Sequence, residues 1–114
     1  MKRFHSLKKN SEFQAVYRTG KSYANKYLVM YILENGLNRN RLGISVSKKV
    51  GNSVIRHRLK RLVKESYRLN ESVFQEGFDI VVVVRTTAND RSYKEIESAL
   101  LHLGKIHKIL KEII

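Results

Sequence analysis

The fold is decided by residues 45–68, SVSKKVGNSVIRHRLKRLVKESYR, which join the end of a strand to a helix crowded with positive charge. Residues 48–68 contain eight lysines and arginines and one acid, Glu65, so a net +7 of the chain's formal +13 lies in this segment. Such a concentration of like charge repels itself unless a polyanion neutralises it. The segment therefore predicts a polyanionic partner, to which the rest of the chain presents the helix.

The predicted helix, residues 53–69, has two separate faces, with Asn52 or Ser53 as its N-cap. At 100° per residue, one stripe is apolar and would be buried against the sheet. Its members are Ile55, Leu59, Leu62 and Val63. A second arc is cationic and comprises Arg56, His57, Lys60, Arg61, Lys64 and Arg68. Arg58 falls outside this arc, beside the apolar stripe. The apolar face would anchor the helix, and the cationic face would be turned to solvent or to an anion.

The loop before the helix adds two more cations. Lys48 and Lys49 precede Gly51 and the start of the helix. Free N–H groups at a helix N-terminus favour anions, so one backbone phosphate would bind here. A single glycine break is too weak a signal for a nucleotide-binding loop.

Two predicted strands flank the basic helix. Residues 41–47 alternate between larger inward side chains (Leu42, Ile44, Val46) and small outward ones (Gly43, Ser45, Ser47). The small outward side chains leave the sheet surface open to a large ligand. Residues 78–85 contain a continuous valine-rich run, typical of a strand that is buried on both faces and paired in parallel. The three segments together predict a β-α-β crossover.

An earlier extended segment, residues 23–33, has a break near Asn25 and is apolar on both faces. Such a strand is either covered on both sides or wetted on one side by a ligand. The pair Asn35–Gly36 is a strong signal for a two-residue hairpin. The strand at 41–47 is therefore expected to return beside it.

Helices are predicted near both ends of the chain. Ser11 and Gln14 fit a capping box for a helix that ends at Thr19, and Ser92 with Glu95 fits a second one. The last helix is amphipathic and is expected to extend through Ile113. The resulting class is α+β, a two-layer sandwich in the order α-β-β-(β)-α-β-α. Its central mixed sheet and β-α-β crossover would form one RNA-binding domain over residues 1–114.

Aromatic side chains accompany the charge. Phe13, Val16 and Tyr17 share one face of the first helix by their i, i+3, i+4 spacing. Two interpretations stay open for this face: ordinary core packing, or a surface on which RNA bases stack. The aromatics favour RNA over duplex DNA, and a basic helix on a membrane is disfavoured because its narrow apolar stripe is needed for the core.

Catalysis by protein side chains has thin support. The four histidines are scattered, the ten acids are dispersed, and there is no cysteine, so neither a catalytic constellation nor a metal site is predicted. The longest apolar runs, residues 27–33 and 80–84, are far shorter than the roughly 18 residues of a membrane span. We therefore expect no membrane association and a cytoplasmic location, consistent with the lack of cysteine.

The run from Ser45 to Glu65 resembles the signature of the bacterial ribonuclease P protein subunit, which carries an R-N-R-x-K-R core on a basic helix after a strand. The resemblance extends to residues 7–22 (LKKNSEFQAVYRTGKS), 24–31 (ANKYLVMY) and 78–85. It implies that catalysis belongs to a large partner RNA, which cuts the 5′ leader from precursor tRNA. Mg²⁺ would be held mainly by that RNA and its substrate, with none bound by protein side chains alone. No obligate protein partner is expected.

The resemblance also implies two sets of site residues. The first set would contact RNA, mainly the catalytic subunit: Lys48, Lys49, Asn52, Arg56, His57, Arg58, Lys60, Arg61, Lys64 and Arg68. The second set would line a cleft for the single-stranded leader: Phe13, Tyr17, Tyr31, Val46 and Lys49.

Two positions depart from the family pattern. His57 stands where the family usually has asparagine, and Lys26 stands where many members have arginine. Histidine is bulkier than asparagine, and lysine replaces a bidentate fork with a point charge. The alternative to a ribonuclease P subunit is an RNA-binding module without processing activity, such as a ribosomal protein; a protein nuclease acting alone is disfavoured by the residues present.

Overall fold

The computed structural model describes residues 4–112 and has the expected α+β architecture. Among these residues the strands are β1 (His5–Ser6), β2 (Lys21–Ala24), β3 (Leu28–Glu34), β4 (Arg41–Ser45) and β5 (Phe78–Val84). The helices are α1 (Asn10–Thr19), α2 (Ser53–Asn70) and α3 (Tyr93–Ile106), with short 3₁₀ turns at Glu71–Val73 and Thr86–Ala88. The strands form one mixed sheet in the order β1-β4-β5-β3-β2.

The predicted β-α-β crossover is confirmed. β4 and β5 pair in parallel from Arg41 opposite Asp79 to Ser45 opposite Val83, and α2 connects them. On its other side β5 pairs antiparallel with β3. Its valine-rich run is therefore enclosed by a strand on each edge and by side chains on both faces, as a continuous apolar strand requires.

The hairpin expected at Asn35–Gly36 is wrong. The chain does turn there, and Gly36 has a positive φ of 71°, but β5 lies between β3 and β4 in the sheet. The apolar β5 needs two neighbouring strands, and its insertion separates the segments that the turn signal seemed to join. The local hairpin is instead β2–β3, which turns at the break found near Asn25.

The core lies on both faces of the sheet. The larger part is formed by α2, α3 and the sheet, with fully buried side chains that include Leu28, Met30, Leu59, Val63, Ile80, Val82, Leu100 and Leu103. A smaller cluster under α1 has Leu7, Val16 and Val81 at its centre. Full burial of one such side chain stabilises by about 1.5–3 kcal/mol. Val16 is the one buried residue of α1, so α1 is held far less firmly than α2 and α3.

The helix ends follow the sequence only in part. Asn52 caps α2 by accepting from the Ile55 N–H at 3.0 Å, and Ser92 and Glu95 form the predicted capping box of α3. The Ser11 capping box is wrong, because α1 begins at Asn10 after Lys9. Because the N-cap is Lys9, Glu12 rather than Gln14 is the N3 residue and accepts the free N–H groups there. Its other carboxylate oxygen accepts from Arg41.

The predicted extension of α3 is also wrong, and Ile113 itself lies outside the described residues. α3 ends at Ile106, and Lys108 adopts a left-handed conformation with φ 62°. The chain then turns back so that Leu110 forms an antiparallel bridge with Phe74. Gly104 permits this return, because a Cβ there would lie 2.9 Å from Leu110 Cδ2 and 3.0 Å from Phe74 Cε2.

A buried asparagine ties α2 to the sheet. The amide nitrogen of Asn40 donates to the Tyr67 hydroxyl at 2.8 Å and to the Gln75 carbonyl at 2.9 Å. Its carbonyl accepts from the Phe78 N–H at 2.8 Å. Burial raises the pKa of Tyr67 to about 12, so its hydroxyl stays neutral. These contacts fix the C-terminal end of α2 at the start of β4 and β5, which sets the direction in which the basic face of α2 points.

Candidate nucleic-acid interface

The helix α1 is fixed to the sheet through Arg41. The Arg41 guanidinium donates to both oxygens of Asp79, at 2.7 Å from Nε and 2.6 Å from Nη2. Its Nη1 reaches Glu12 Oε2 on α1 at 3.1 Å. The other Glu12 oxygen accepts the backbone N–H groups of Lys9 and Lys8. These backbone hydrogen bonds, with the charge of Arg41, hold the pKa of Glu12 below its ordinary value.

Three predicted cleft residues come together beside α1. Tyr17 packs edge-on against Tyr31 of β3, with ring centroids 4.9 Å apart, and Phe13 lies 6.4 Å from Tyr17. All three rings are half-buried and pack around the small cluster of Val16 and Val81. The rings are therefore held in place by packing yet keep exposed surface, so core packing is confirmed and base stacking stays a prediction.

The position of Phe13 depends on Gly43 of β4. A Cβ at Gly43 would lie 2.7 Å from Cε1 and Cζ of the Phe13 ring, a distance too short for any side chain there. Gly43 is accordingly buried under the ring. The small outward residue of β4 thus serves close packing of α1, so this part of the sheet surface is covered by the protein itself.

Two other predicted cleft residues lie elsewhere. Val46 follows the end of β4, is partly buried and packs against the main core between the sheet, α2 and α3. It is not among the residues packed with Phe13, Tyr17 and Tyr31. Lys49 is exposed, as is Lys48, on a turn closed by a 3.1 Å hydrogen bond from the Val50 N–H to the Ser47 carbonyl. Both lysine side chains are therefore exposed to solvent just before α2 begins.

Several predicted RNA-binding residues of α2 have partners within the protein. Arg58 Nη2 donates to the Arg91 carbonyl at 2.6 Å, and Arg56 Nε donates to the Gly51 carbonyl at 3.2 Å. Arg68 forms an ion pair with Glu65. Asn52 is occupied as the N-cap, as described above. The sequence could not separate these side chains from those left for a ligand, because their partners come from other elements or depend on rotamers.

The remaining members of the arc form one exposed row on α2. His57, Lys60, Arg61 and Lys64 are exposed and are spaced i, i+3, i+4, i+7, which places them on one face. On the opposite face Leu59 and Val63 of the predicted stripe are fully buried, and Ile55 and Leu62 are partly buried against the same core. The stripe also includes Tyr67, which the sequence interpretation missed although it follows Val63 by four residues.

The remaining histidines of α3 and the turn after it contact other parts of the fold. His107 Nε2 lies 2.8 Å from the Met30 carbonyl, and partial burial lowers the pKa of His107. His102 lies 3.2 Å from the Asn25 amide. Within residues 4–112, no three His, Asp or Glu side chains come close enough to hold a metal ion together. None of the helices in that range has the length and hydropathy that a membrane span needs.

A half-buried aromatic cluster beside α1, together with an exposed cationic row on α2, is typical of one class of protein: a basic α+β protein that binds RNA. Comparison with known proteins gives the family. A family model described as Ribonuclease P matches residues 1–108. The chain belongs to the ribonuclease P protein family.

Individual relatives and solved structures agree with this assignment. The Ribonuclease P protein component of Lachnoclostridium phytofermentans is 61% identical over 105 residues, covering 92% of this chain and 90% of that protein. The counterpart in Alkaliphilus oremlandii is 60% identical, covering 92% of each. The structure of the Staphylococcus aureus RNase P protein superposes with a TM-score of 0.87 at 39% identity, covering 94% of this chain and 98% of that one. That of the Thermotoga maritima protein has a TM-score of 0.82 at 34% identity, covering 89% and 96%.

Proposed function

We propose that this chain works as the accessory protein of a ribonuclease P holoenzyme that removes the 5′ leader from precursor tRNA, with the RNA subunit carrying out the cleavage. The observation that supports this most directly is that one small protein carries two chemically different surfaces, each suited to RNA. One is the aromatic cluster beside α1, and the other is the exposed cationic row of α2. Each surface suits a different form of RNA.

The aromatic cluster suits the single-stranded leader. Bases that are not paired expose their faces, and each base stacked on an aromatic side chain contributes about 1–3 kcal/mol with little sequence preference. Phe13, Tyr17 and Tyr31 are held by packing against the sheet, so little side-chain freedom is lost when a base stacks on them. Leaders of different sequence can therefore bind at the same site.

The cationic row suits the structured RNA subunit. His57, Lys60, Arg61 and Lys64 lie along one face of a rigid 18-residue helix, with Lys48 and Lys49 at its start. Contacts of lysine and arginine with phosphates give strong affinity without reading the sequence. The helix would hold the protein on the RNA subunit while the aromatic cluster meets the leader.

Mg²⁺ would be bound by the RNA subunit and the substrate. The described residues offer no group of carboxylates or histidines suited to a metal ion. The cations of α2 would act indirectly, because they reduce the repulsion between phosphates where RNA subunit, leader and metal ions come together. The protein would thereby strengthen the binding of substrate and Mg²⁺ without supplying a reacting group.

Cleavage of a precursor tRNA by the protein, by the RNA subunit and by both together tests the proposal. At physiological Mg²⁺ we expect cleavage to be much faster with both components than with the RNA alone, and no cleavage by the protein alone. RNA binding without stimulation would favour a plain RNA-binding module, and cleavage by the protein alone would contradict the division of roles.

The leader site is tested with a pair of tyrosine variants. Tyr17→Ala should weaken binding of leader-bearing substrate by about 1–3 kcal/mol and leave binding of mature tRNA unchanged. Tyr23→Ala is the matched control, because Tyr23 is 46% exposed on the edge strand β2 and packs against His107 instead. Equal losses for both substrates would assign Tyr17 to the core.

A further inference from the structure

A groove of about 530 Å³ separates the cationic row of α2 from the N-terminal part of the chain. Its volume lies within the range of about 300–1,000 Å³ typical of small-ligand pockets. One wall is formed by His57, Lys60, Arg61 and Lys64 of α2. The facing residues are Ser6, Leu7, Lys8 and Phe13, and the floor is Leu42 and Ile44 of β4. The groove thus has an apolar floor between cationic sides.

The floor contains an open stretch of strand edge. β1 pairs only with Arg41 and Leu42, so no described strand continues along β4 beyond that point. The carbonyls of Asn40 and Leu42 accept from His5 and Leu7 of the N-terminal segment. Because backbone groups alternate in direction along a strand, the N–H and C=O of Ile44 point the same way, into the groove. A hydrogen-bond donor and an acceptor therefore accompany the apolar floor.

This combination matches an unpaired nucleotide. An apolar floor with a phenylalanine and a histidine at its sides suits the face of a base, and the outward N–H and C=O suit its polar edge. Three cations along one helix, with Lys8 opposite, suit the phosphates on either side of that base. A paired nucleotide does not fit, because its base face is covered by its neighbours in the duplex.

We infer that the groove between α2 and the N-terminal segment binds one unpaired nucleotide of the RNA subunit. This inference rests on the proposed function, in which α2 contacts that RNA. Leu42 and Ile44 face the α2 side of the sheet, whereas Tyr17 and Tyr31 lie on the α1 side. The groove is therefore a second nucleotide site, distinct from the one at Tyr17 and Tyr31, and Phe13 lies at the border between the two.

A tryptophan reporter tests the inference, because the chain contains no tryptophan of its own. Ser6→Trp places an indole at the groove, and Ser98→Trp is the matched control, because Ser98 is an exposed serine on α3 that borders neither the groove nor the aromatic cluster. Lys8→Trp is a second groove reporter should the first variant fold poorly. We expect the RNA subunit to quench the groove reporter and to leave the control emission unchanged.

Two model strands separate base binding from phosphate binding. A short oligoadenylate and an abasic strand of equal length carry the same charge, so both should bind the protein, which fluorescence anisotropy measures. Only the oligoadenylate should quench the emission of the groove reporter. His57→Ala should lower the affinity for oligoadenylate by about fivefold or more, which corresponds to one stacked base. His102→Ala, on exposed α3 surface, should not. Equal quenching by both strands, or by both reporters, would overturn the inference.

The last comparison identifies the source of the nucleotide. Addition of leader-bearing precursor tRNA to the complex of protein and RNA subunit should leave the quenched emission unchanged. Quenching that begins only at this addition would assign the groove to the leader and overturn our assignment. If the groove reporter never responds while cleavage is still stimulated, this inference fails and the proposed function stands. If the reporter responds and cleavage is not stimulated, the proposed function fails.

Discussion

Arg41 and Asp79 lie directly opposite each other on the parallel strands β4 and β5 and form two hydrogen bonds, of 2.7 and 2.6 Å, in a bidentate pair. The Asp79 side chain is 6% exposed and that of Arg41 is 30% exposed, so the pair joins the protein interior to its surface. The outer nitrogen of Arg41 reaches Glu12 on α1. One guanidinium thus connects the sheet to the helix that carries the aromatic cluster.

Replacement of Arg41 should therefore be costly. Arg41→Met leaves the buried Asp79 carboxylate with the Asn35 amide as its remaining side-chain partner, and we expect the free energy of unfolding to fall by about 2–3 kcal/mol. The double variant Arg41→Met with Asp79→Leu should recover most of this loss, since no unpaired charge remains. Urea denaturation measures both, with Arg18→Met on exposed α1 surface as the control. A double variant as unstable as the single one would contradict this account.

The packing of α1 against the sheet should weaken at low pH. Because its hydrogen bonds lower the pKa of Glu12 in the folded protein, the carboxylate stabilises the fold above its unfolded-state pKa of about 4.3. That contribution is lost as the pH falls through the lower pKa of the folded state. NMR resonances of the Phe13 and Tyr17 rings should shift across this acid range. In Glu12→Gln the same resonances should be insensitive to pH there, and an unchanged transition would assign it to another carboxylate.

Gly43 and Phe13 should be energetically coupled. A methyl group at Gly43 would lie 2.7 Å from the Phe13 ring, so Gly43→Ala must displace α1 and should destabilise by about 1–3 kcal/mol. Phe13→Leu removes the edge of the ring, and in that background Gly43→Ala should cost much less. A double-mutant cycle in urea measures the coupling. Additive effects would mean that β4 moves instead of the ring.

Lys108 should be replaceable with a gain in stability. Its φ of 62° lies in the left-handed region, which is unfavourable for residues with a Cβ. Lys108→Gly should raise the free energy of unfolding by about 0.5–1 kcal/mol, whereas Lys105→Gly, in the last turn of α3, should lower it by about 0.5 kcal/mol. Thermal denaturation of the two variants distinguishes them. A loss in both would show that the Lys108 side chain makes contacts that outweigh its backbone strain.

Much of the fold follows from patterns that act locally. The spacing of apolar residues in α2 and the valine-rich run of β5 are strong signals for a helix and a strand, because each pattern follows from which faces of the element are buried. The order of strands is not local, so the turn at Gly36 suggested a partner for β3 that β5 displaces. The end of α3 is likewise set by the return of Leu110 onto Gly104 and by its bridge to Phe74, a contact with a distant part of the chain that no periodicity records.

The candidate site divides in the same way. Aromatic spacing placed Phe13 and Tyr17 on one face of α1, and the family resemblance included Tyr31, which packs against Tyr17 from β3. The cationic arc of α2 was visible from charge alone, but the contact of Arg58 with the Arg91 carbonyl depends on the placement of the loop before α3. The groove at Ile44 could not be foreseen, because it arises from the early end of β1.

Binding of the RNA subunit should weaken steeply with salt. If about six phosphates are contacted, a plot of log affinity against log salt concentration should have a slope of roughly −4 to −6. Lys60→Ala and Lys64→Ala should each make the slope less steep by about one, because each removes one phosphate contact. Lys94→Ala is the control, an exposed lysine on α3 away from the groove. Filter binding across a salt series gives the slopes, and a wild-type slope near zero, or the same change in the control as in the α2 variants, would contradict the assignment of the α2 row to phosphates.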